Sequence, residues 1–527
     1  MDFVGRIRLT FLLLVTVLAG MALPTSTALP GDDDYRVLFS IDLEEAGLEY
    51  EGHGAEQELW GPIGIASTDD GTIWIGDGPS SRLLGYDLNG RFVAEIRLDA
   101  VVGMGDLDAR GATVAILDIA AVQPSAVLVD TRTGSILTYP LPAEASLERG
   151  LSGIYLSPSL EVAAELEGGT TLVPVGSEAN AVRYDANGTE VVLDAAGKAQ
   201  AGAAAVGIGG DVVSLDVAGI PGSIGFVGAY GGNVYLTVDD VGQALDGEII
   251  VDATVREISV SGKPVAQARI PMNEMVVHLP RPVTVGPSGQ LLSAIPRDDR
   301  IDVVQLEKAA KATYLLTPAD VSRAISIPEG YSFSYDSGMS ASSSCVSRST
   351  MGSTDWSYRS NSHYYNNTNI NGSCTGRDKP SYFGSAGTYS SVSYKWGGFD
   401  SVFTFNYYMA PRTGRAGDTS RGATLSCAYG VDCSGFVSRV WQRTSKYGTS
   451  TLPNISYHIP LTWMQPYDIF NDSGSHVMLY RYSVSGGYYV SDSTTSYNYD
   501  RVVYRWISSS YASGFDTRRY NNVCVDY

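Results

Sequence analysis

Short β-strand-like segments joined by tight Asx-Gly turns recur through the first 330 residues of this 527-residue chain. The clearest unit alternates strands with turns at Gly64–Ser67, Asp69–Gly71, Thr72–Gly76, Leu83–Asp87, Leu88–Gly90 and Phe92–Ile96. Asx-Gly pairs between apolar runs are strong hairpin signals, because Gly adopts positive φ without strain. Three or four strands in about 40 residues predict one blade of a β-propeller.

Weaker copies of this unit follow along the chain. They include Val127–Asp130, Ala181–Asp185, Gly225–Tyr230, Val234–Leu236, Ile258–Gly262 and Pro282–Val285. We predict an all-β propeller of six blades over residues 35–310, which resembles propellers of the NHL or strictosidine-synthase-like kind. An outer strand at Ile301–Leu306 is expected to pair with Tyr35–Ile41, because that pairing closes the ring and removes an exposed edge. An open all-β sandwich is the alternative.

Composition divides the chain into two parts. Residues 331–527 contain no Glu, and their 12 Asp and 16 Lys plus Arg give them a charge of about +4. The first 330 residues hold 45 acidic and 20 basic residues, about −25. All five Cys and 24 of the 33 Tyr lie in the second part. Such a shift marks a domain boundary near Pro318–Gly330, so we assign 311–335 as a linker and 336–527 as a second domain.

The N-terminus has the layout of a secretory signal peptide. Arg6 and Arg8 precede an apolar run from Leu9 to Leu23, and Ser26 and Ala28 form an A-x-A-like site. We predict a signal peptide over 1–28; an uncleaved anchor is the alternative, although the run is short for a membrane span. No later stretch reaches membrane length, so the mature chain is expected to be secreted or extracytoplasmic, with no transmembrane span. The overall charge of −21 argues against nucleic acid as a partner.

The propeller segment carries no evident chemistry. His53 and His278 stand alone, and the acidic residues are scattered without the compact spacing of a calcium site. We therefore predict no metal and no cofactor, and we expect an interaction surface whose ligand the sequence does not identify.

The chemistry is expected in the second part, around Cys433. Phe436, Val437, Val440 and Trp441 recur at helical spacing, which places Cys433 at or just before the first turn of a helix. The helix dipole there favours a thiolate, and backbone N–H groups could hold a developing oxyanion.

A base for this thiol follows along the chain. His476 opens a predicted strand, and Asp492 ends the next strand, where its carboxylate could fix the imidazole tautomer. The order of Cys, then His on a strand, then a polar residue on the next strand is papain-like. Ser491 and Asn498 are alternatives for the third residue, and His363 and His458 are rivals for the base.

Three segments, in this order, resemble the NlpC-type cell-wall peptidases. They are Tyr394-Lys395-Trp396-Gly397-Gly398, Asp432-Cys433-Ser434-Gly435-Phe436-Val437 and Pro466-Tyr467-Asp468-Ile469-Phe470. The third has Tyr467 where the family usually has Gly. The resemblance covers about 391–506 and implies an α+β papain-like cysteine peptidase domain. The family's third residue is often a second His, which this chain lacks.

The resemblance also implies roles for residues. Cys433 is expected to be the nucleophile, His476 the general base and Asp492 the orienting residue. Asp432 is expected to bind the free amine of the substrate, with Ser434, Tyr394 and Trp396 lining the same pocket.

Five Cys in an exported chain suggest two disulfides and one free thiol. With Cys433 free, the other four can pair in three ways. We favour Cys345–Cys374 as a local loop and Cys427–Cys524 as a tie for the C-terminus.

The function we predict is that of a secreted cysteine peptidase or amidase. It would hydrolyse peptide bonds in peptidoglycan stem peptides through a thioester, with the propeller for targeting or regulation. One alternative is a catalytically inactive surface binding protein. Another is a Cys/His hydrolase that acts on a protein or acyl substrate.

Overall fold

The computed structural model describes residues 34–52, 57–121, 123–141, 151–166, 171–175, 183–184, 190–192, 203–208, 211–310, 315–325, 345–410, 413–484 and 487–524. We call residues 34–310 the propeller region and residues 345–524 the C-terminal region. The predicted signal peptide and His53 lie outside the described residues. No helix in the described part of the chain has the length and apolar character needed to cross a membrane.

The described residues of the propeller region form six antiparallel sheets. The first two are β2–β5 (Gly64–Ser67, Ile73–Asp77, Arg82–Tyr86, Phe92–Arg97) and β6–β9 (Met104–Arg110, Thr113–Asp118, Ser125–Asp130, Ser135–Pro140). The next two are β10–β12 (Leu151–Leu156, Val162–Leu166, Thr171–Pro174) and β13–β16 (Arg183–Tyr184, Glu190–Val192, Ala203–Ile208, Asp211–Asp216). The fifth is β17–β20 (Ile220–Tyr230, Asn233–Gln243, Ile249–Ser259, Pro264–Arg269). The sixth combines β21–β23 (Val283–Val285, Leu291–Pro296, Arg300–Leu306) with β1 (Tyr35–Asp42).

The first strands of neighbouring sheets meet around a common axis. Strand β2 contacts both β6 and β21, β6 contacts β10, and β17 contacts β21. A shared apolar cluster that includes Tyr155, Val206 and Phe226 joins the third, fourth and fifth sheets. Sheets arranged radially in this way form a propeller-like fold, as the strand and turn pattern predicts.

The ring closes where the sequence predicts. Strand β1 pairs antiparallel with β23, with Tyr35 opposite Leu306 and Asp42 opposite Arg300. The predicted Asx turns also form: the Asp70 carboxylate accepts from the Thr72 N–H at 3.0 Å, and Gly71 takes a φ of +87°. Local turn chemistry therefore sets each hairpin, and the terminal strand pairing removes two sheet edges.

The C-terminal region packs helices on a six-stranded antiparallel sheet. The sheet order is β28-β33-β29-β30-β31-β32, with bounds Ser456–His458, Asp516–Tyr520, Ile469–Asp472, His476–Val484, Gly487–Thr494 and Arg501–Ser508. Two small pairs, β24–β25 (Ser362–Tyr365, Gly387–Ser390) and β26–β27 (Arg415–Ala416, Ala428–Tyr429), lie before it in the chain.

Six α-helices are described. They are α1 (Leu43–Ala46), α2 (Pro318–Ile325), α3 (Arg348–Arg359), α4 (Asn367–Asn371), α5 (Val402–Met409) and α6 (Cys433–Val440). Short 3₁₀ turns occur at Met272–Glu274, Leu452–Ile455, Leu461–Trp463 and Ser496–Asn498. Helix α2 lies inside the predicted linker and contacts both regions: Arg323 donates to the Gln243 carbonyl, and Thr462 donates to the Ala324 carbonyl.

The two faces of the six-stranded sheet are covered by different partners. Val477 and Leu479 pack with Phe436 and Val437 of α6. Met478 and Tyr480, which alternate with them, pack with Val251 and other residues of the propeller region. Because successive side chains of a strand point to opposite faces, one face lies against the helices and the other against the propeller.

Two disulfides are present, but with a different connectivity from the one we favoured. The bonds are Cys345–Cys524 and Cys374–Cys427, so the predicted pairs Cys345–Cys374 and Cys427–Cys524 are wrong. Backbone pairing explains the difference. The Cys524 N–H donates to the Val346 carbonyl at 2.9 Å, and the Arg415 N–H donates to the Cys427 carbonyl at 2.9 Å. These contacts join segments distant in sequence, which residue spacing does not reveal.

Candidate functional site

Cys433 lies where the helical pattern predicts it, at the first residue of α6. It is fully buried, and it is the free cysteine beside the four that form disulfides. Asp432 is the N-cap, and its carboxylate accepts from the Gly435 N–H at 2.7 Å. A thiol at a helix N-terminus experiences the positive end of the helix dipole, which favours its thiolate form.

Two glycines allow another segment to approach this helix start. A Cβ on Gly435 would lie 2.0 Å from the Gly398 carbonyl oxygen, and a Cβ on Gly398 would lie 2.5 Å from the Gly430 carbonyl oxygen. The Asp432 N–H donates to the Gly398 carbonyl at 3.3 Å. The Tyr394–Gly398 segment is therefore held against α6 by backbone contacts that larger side chains would prevent.

His476 and Asp492 come from neighbouring strands of the sheet. His476 is the first residue of β30, and Asp492 lies in β31. Both side chains are almost completely buried, at 2 % and 0 % exposure. They share strand parity with Met478 and Val490, which pack in the cluster facing the propeller region.

The imidazole lies between the thiol and the carboxylate. His476 Nε2 is 3.0 Å from Asp492 Oδ1, and the Cys433 side chain interacts with the same ring. The ring N–H does not point along the line to Oδ1, so we describe this contact as an ion pair rather than an aligned hydrogen bond. Since Nε2 faces Asp492, Nδ1 is the nitrogen available to the thiol proton.

The opposite charges of His476 and Asp492 stabilise each other. Burial by itself lowers the pKa of His476, but the Asp492 carboxylate and the Cys433 thiol raise it well above its ordinary value. Burial raises the pKa of Asp492, but His476 and Arg505 bring it below its ordinary value. An imidazolium beside a carboxylate is therefore the favoured state at neutral pH.

Asp432 already has partners within the chain. Its Oδ1 accepts from the Gly435 N–H and from Ser434 Oγ, at 2.7 and 3.1 Å, and its Oδ2 pairs with the Lys446 ammonium. The role of Asp432 as the partner of a substrate amine stays a prediction. An amine at this position would have to share the carboxylate with Lys446.

Tyr394 and Trp396 lie near the start of α6. Tyr394 is buried and forms a parallel bridge with Val431, next to Asp432. Trp396 is half-buried, and its Nε1 donates to the Gly422 carbonyl at 3.0 Å. Their predicted contact with substrate stays a prediction.

The alternatives for the base and the third residue have other contacts. Asn498 donates to the Val102 carbonyl of the propeller region at 2.7 Å, and Ser491 accepts from Arg481 at 3.1 Å. His458 lies 2.6 Å from Asp516, and His363 packs against Tyr365 in the β24–β25 pair. The fold brings His476 to Cys433 and Asp492 to His476.

The sequence patterns did not predict three charged residues that lie near the site. Arg505 contacts Asp492, Lys446 pairs with Asp432, and Glu58 of the propeller region lies 3.6 Å from Arg505. Arg505 was detectable in one respect, because a charged residue interrupts the apolar strand 501–508. No sequence pattern around Glu58 indicates that it lies near the site.

A cavity of about 180 Å³ lies on the propeller axis, apart from Cys433. Its wall includes Asp106, Arg281 and His278 from the propeller region and Arg505 and Tyr511 from the C-terminal region. Arg281 forms two 2.9 Å contacts with Asp106 across the axis. Burial and the Arg505 charge lower the pKa of His278 to about 4, so this imidazole is neutral.

The described residues contain no group of three or more His, Cys, Asp or Glu placed to hold a metal ion.

No family model matches the sequence. No curated protein matches it either.

Solved structures align with about half of the chain. They include a streptogramin B lyase, with 12% identity over 52% of this chain and 100% of that chain at a TM-score of 0.28. Virginiamycin B lyase from Staphylococcus aureus has 16% identity over 50% and 90%, at 0.27. The Cps50 (Swd1) β-propeller domain from Myceliophteria thermophila has 11% identity over 52% and 100%, at 0.29. The sheets of this chain by themselves establish its propeller-like fold.

Proposed function

We propose that this chain is a thiol hydrolase whose nucleophile is Cys433. The observation that carries the proposal is the buried series Cys433, His476 and Asp492, which starts at a helix N-terminus. A nucleophile, a base and a group that orients the base are the parts that covalent acyl transfer requires.

The reaction would proceed in two acyl-transfer steps. In the resting pair His476 would already hold the thiol proton as an imidazolium, and the Cys433 thiolate would attack the carbonyl carbon of the substrate. The carbon–nitrogen bond then breaks, and the imidazolium gives its proton to the leaving amine. Water, deprotonated by His476, hydrolyses the thioester and releases the free thiol.

The substrate we propose is a stem peptide of bacterial peptidoglycan. Support comes from the likeness of the Asp432–Val437 and Tyr394–Gly398 segments to NlpC-type peptidases, and from the contact between these two segments. Two disulfides and a signal-peptide-like N-terminus agree with an oxidising, extracytoplasmic location.

A digest of defined peptides tests both the chemistry and the substrate. The mature protein and Cys433→Ala would be incubated with L-Ala-γ-D-Glu-diaminopimelate peptides, and the products read by mass spectrometry. Cleavage by the wild type alone is expected. No cleavage by either protein, together with a Cys433 thiol that titrates like free cysteine, would favour the inactive binding protein.

The Asp432–Lys446 pair favours a second candidate, a hydrolase for substrates without a free amine at this position. Lys446→Met would separate the two candidates, because it releases the Asp432 carboxylate. Preference for free-amine peptides should rise in Lys446→Met if Asp432 binds the substrate amine. Equal rates on N-acetylated and free peptides in both proteins would favour a protein or acyl substrate.

A further inference from the structure

Arg505 connects the reactive pair to the propeller region. It is 8 % exposed, and it donates to Asp492 Oδ2 through Nε at 3.0 Å and through Nη2 at 2.8 Å. Nη2 also donates to the Tyr511 hydroxyl and lies 3.6 Å from Glu58 Oε2. The guanidinium therefore lies between two carboxylates, one from each region.

The segment around Glu58 is held against the C-terminal region by two contacts. Ser496 of the C-terminal region donates to Glu58 Oε2 at 2.7 Å. Two residues further, Trp60 packs against Tyr497 with ring centroids 5.7 Å apart. The Glu58 side chain is 13 % exposed, so water screens it only partly.

We propose that Arg505 is a positioning residue for Asp492 and that Glu58 balances its charge. The docked propeller region thereby tunes the Cys433–His476 pair. This inference rests on the proposed function, since it concerns the same thiol and imidazole.

The roles of Arg505 and Glu58 follow from the charges that are buried near Asp492. Arg505 by itself would offset the Asp492 carboxylate and weaken its attraction for the His476 imidazolium. Glu58 supplies a second negative charge, so Asp492 keeps its effect on the ring. Other titratable groups face Arg505, Asp492 or His476, and their charges belong to the same balance: Asp472, His278, Tyr497, Tyr499 and Tyr511.

Opposite substitutions should have opposite effects. Glu58→Gln removes a negative charge, so the imidazolium becomes less stable and the thiolate more stable. The thiolate–imidazolium pair forms when Cys433 loses its proton and disappears when His476 loses its proton. Both of these transitions, the two limbs of the pH profile, then move to lower pH. Arg505→Met removes a positive charge and moves both limbs to higher pH, whereas Arg505→Lys keeps the charge and should stay near the wild type.

The experiment follows the thiolate directly in the full-length protein. The other four Cys form disulfides, so the ultraviolet absorbance difference between each protein and its Cys433→Ala counterpart reports the Cys433 thiolate against pH. Alkylation rates with iodoacetamide over the same pH range give an independent profile. Neither measurement needs a substrate.

Two control variants leave Arg505, Asp492 and Glu58 unchanged. Gln57→Ala removes the contact of Gln57 with Arg421, also between the two regions, and changes no charge. Glu161→Gln removes an exposed carboxylate of the propeller region. Both should reproduce the wild-type profile.

At a fixed pH within one of these transitions, we expect Glu58→Gln and Arg505→Met to change the thiolate fraction in opposite directions, each by roughly threefold. An unchanged profile in Glu58→Gln, or equal shifts in Gln57→Ala, would overturn the inference. If Arg505→Met does not fold, Glu58→Gln and Arg505→Lys decide the result. A wild-type thiol that titrates like free cysteine would instead count against the proposed function.

Discussion

The propeller region and the C-terminal region are both built on antiparallel sheets, but their strands find partners over different distances. Among the described strands of the propeller region, β2 to β23 pair with neighbours along the chain, and β1 alone pairs with a distant strand, β23. In the C-terminal sheet, β33 inserts between β28 and β29, and two disulfides join distant segments.

The difference indicates how each region is stabilised. Hairpins close short loops at low entropic cost, so a propeller can be assembled from local turns. The C-terminal region must close loops of 53 and 179 residues, which the disulfides keep closed. The reactive residues lie in this second region: Cys433 is on the helix side of the sheet, and His476 and Asp492 are on strands whose alternate residues face the propeller region.

Removing the cross-links should have the largest effect, and only on the C-terminal region. We expect Cys345→Ser/Cys524→Ser to lower its free energy of unfolding by about 5 kcal/mol, and Cys374→Ser/Cys427→Ser by about 4 kcal/mol. Tryptophan emission during urea unfolding reports this, since five of the seven Trp follow residue 345. The control is Cys433→Ala, which removes no cross-link. A wild-type urea midpoint in both double variants would contradict the expectation.

Asp492→Asn tests the series of Cys433, His476 and Asp492 within the C-terminal region. We expect kcat/KM on the cleaved peptide to fall by about 100-fold or more, because a neutral amide no longer stabilises the imidazolium. Asn498→Ala is the matched control, since Asn498 contacts Val102 rather than His476. A larger loss in Asn498→Ala would assign the orienting role to that residue instead.

Gln243→Ala tests the contact between the two regions. Gln243 is buried, donates to Thr517 Oγ1 at 2.8 Å and accepts from the Leu461 N–H at 3.2 Å. Leaving these groups without partners should cost about 2–3 kcal/mol. Hydrogen exchange at the amides of Ile459, Leu461 and Thr517 should increase. Gln290→Ala, which affects a turn within the propeller region, should leave that exchange unchanged.

The smallest effect we expect is a pH dependence of another contact between the two regions, that of Asp239 with Ser510. Asp239 accepts from the Ser510 N–H and hydroxyl, and burial raises its pKa to about 6. Because the folded-state value exceeds the ordinary 3.8, the stabilisation is complete below about pH 4 and is lost as pH rises through 6. We expect a loss of roughly 1–2 kcal/mol between pH 4 and 7.

Thermal unfolding across this pH range measures the loss. Asp239→Asn should reduce the dependence, because the amide does not titrate, whereas Asp240 and Asp500, whose pKa burial also raises to about 6, keep their contributions. Asp211→Asn, at an exposed position of the propeller region, should keep it. A slope that is the same in Asp239→Asn and in the wild type would assign the dependence to other groups.

Local patterns predicted a large part of the fold. The strands around Ile73 and Leu84, the Asp70 turn, the β1–β23 closure and the helix start at Cys433 are confirmed. Each depends on periodicity or turn chemistry within a few residues, except the closure, which follows from the need to cover a sheet edge.

The disulfide pairing and the partners of the site residues did not follow from such patterns. Cys345 meets Cys524 because backbone pairing joins Val346 with the chain near residue 523. Asp432 is paired with Lys446 of the loop that follows α6, and Asp492 is paired with Arg505 of the neighbouring strand.

The sequence by itself determined the hairpin repeats, the division of charge and cysteine between two regions, and the order of a thiol, an imidazole and a carboxylate. Those properties depend on residue identity and short spacing. Only the tertiary structure decided that Glu58, more than 400 residues before Asp492 in the chain, reaches the guanidinium that holds that carboxylate. Buried charges respond to whatever packing brings within a few ångströms, and sequence distance does not limit that.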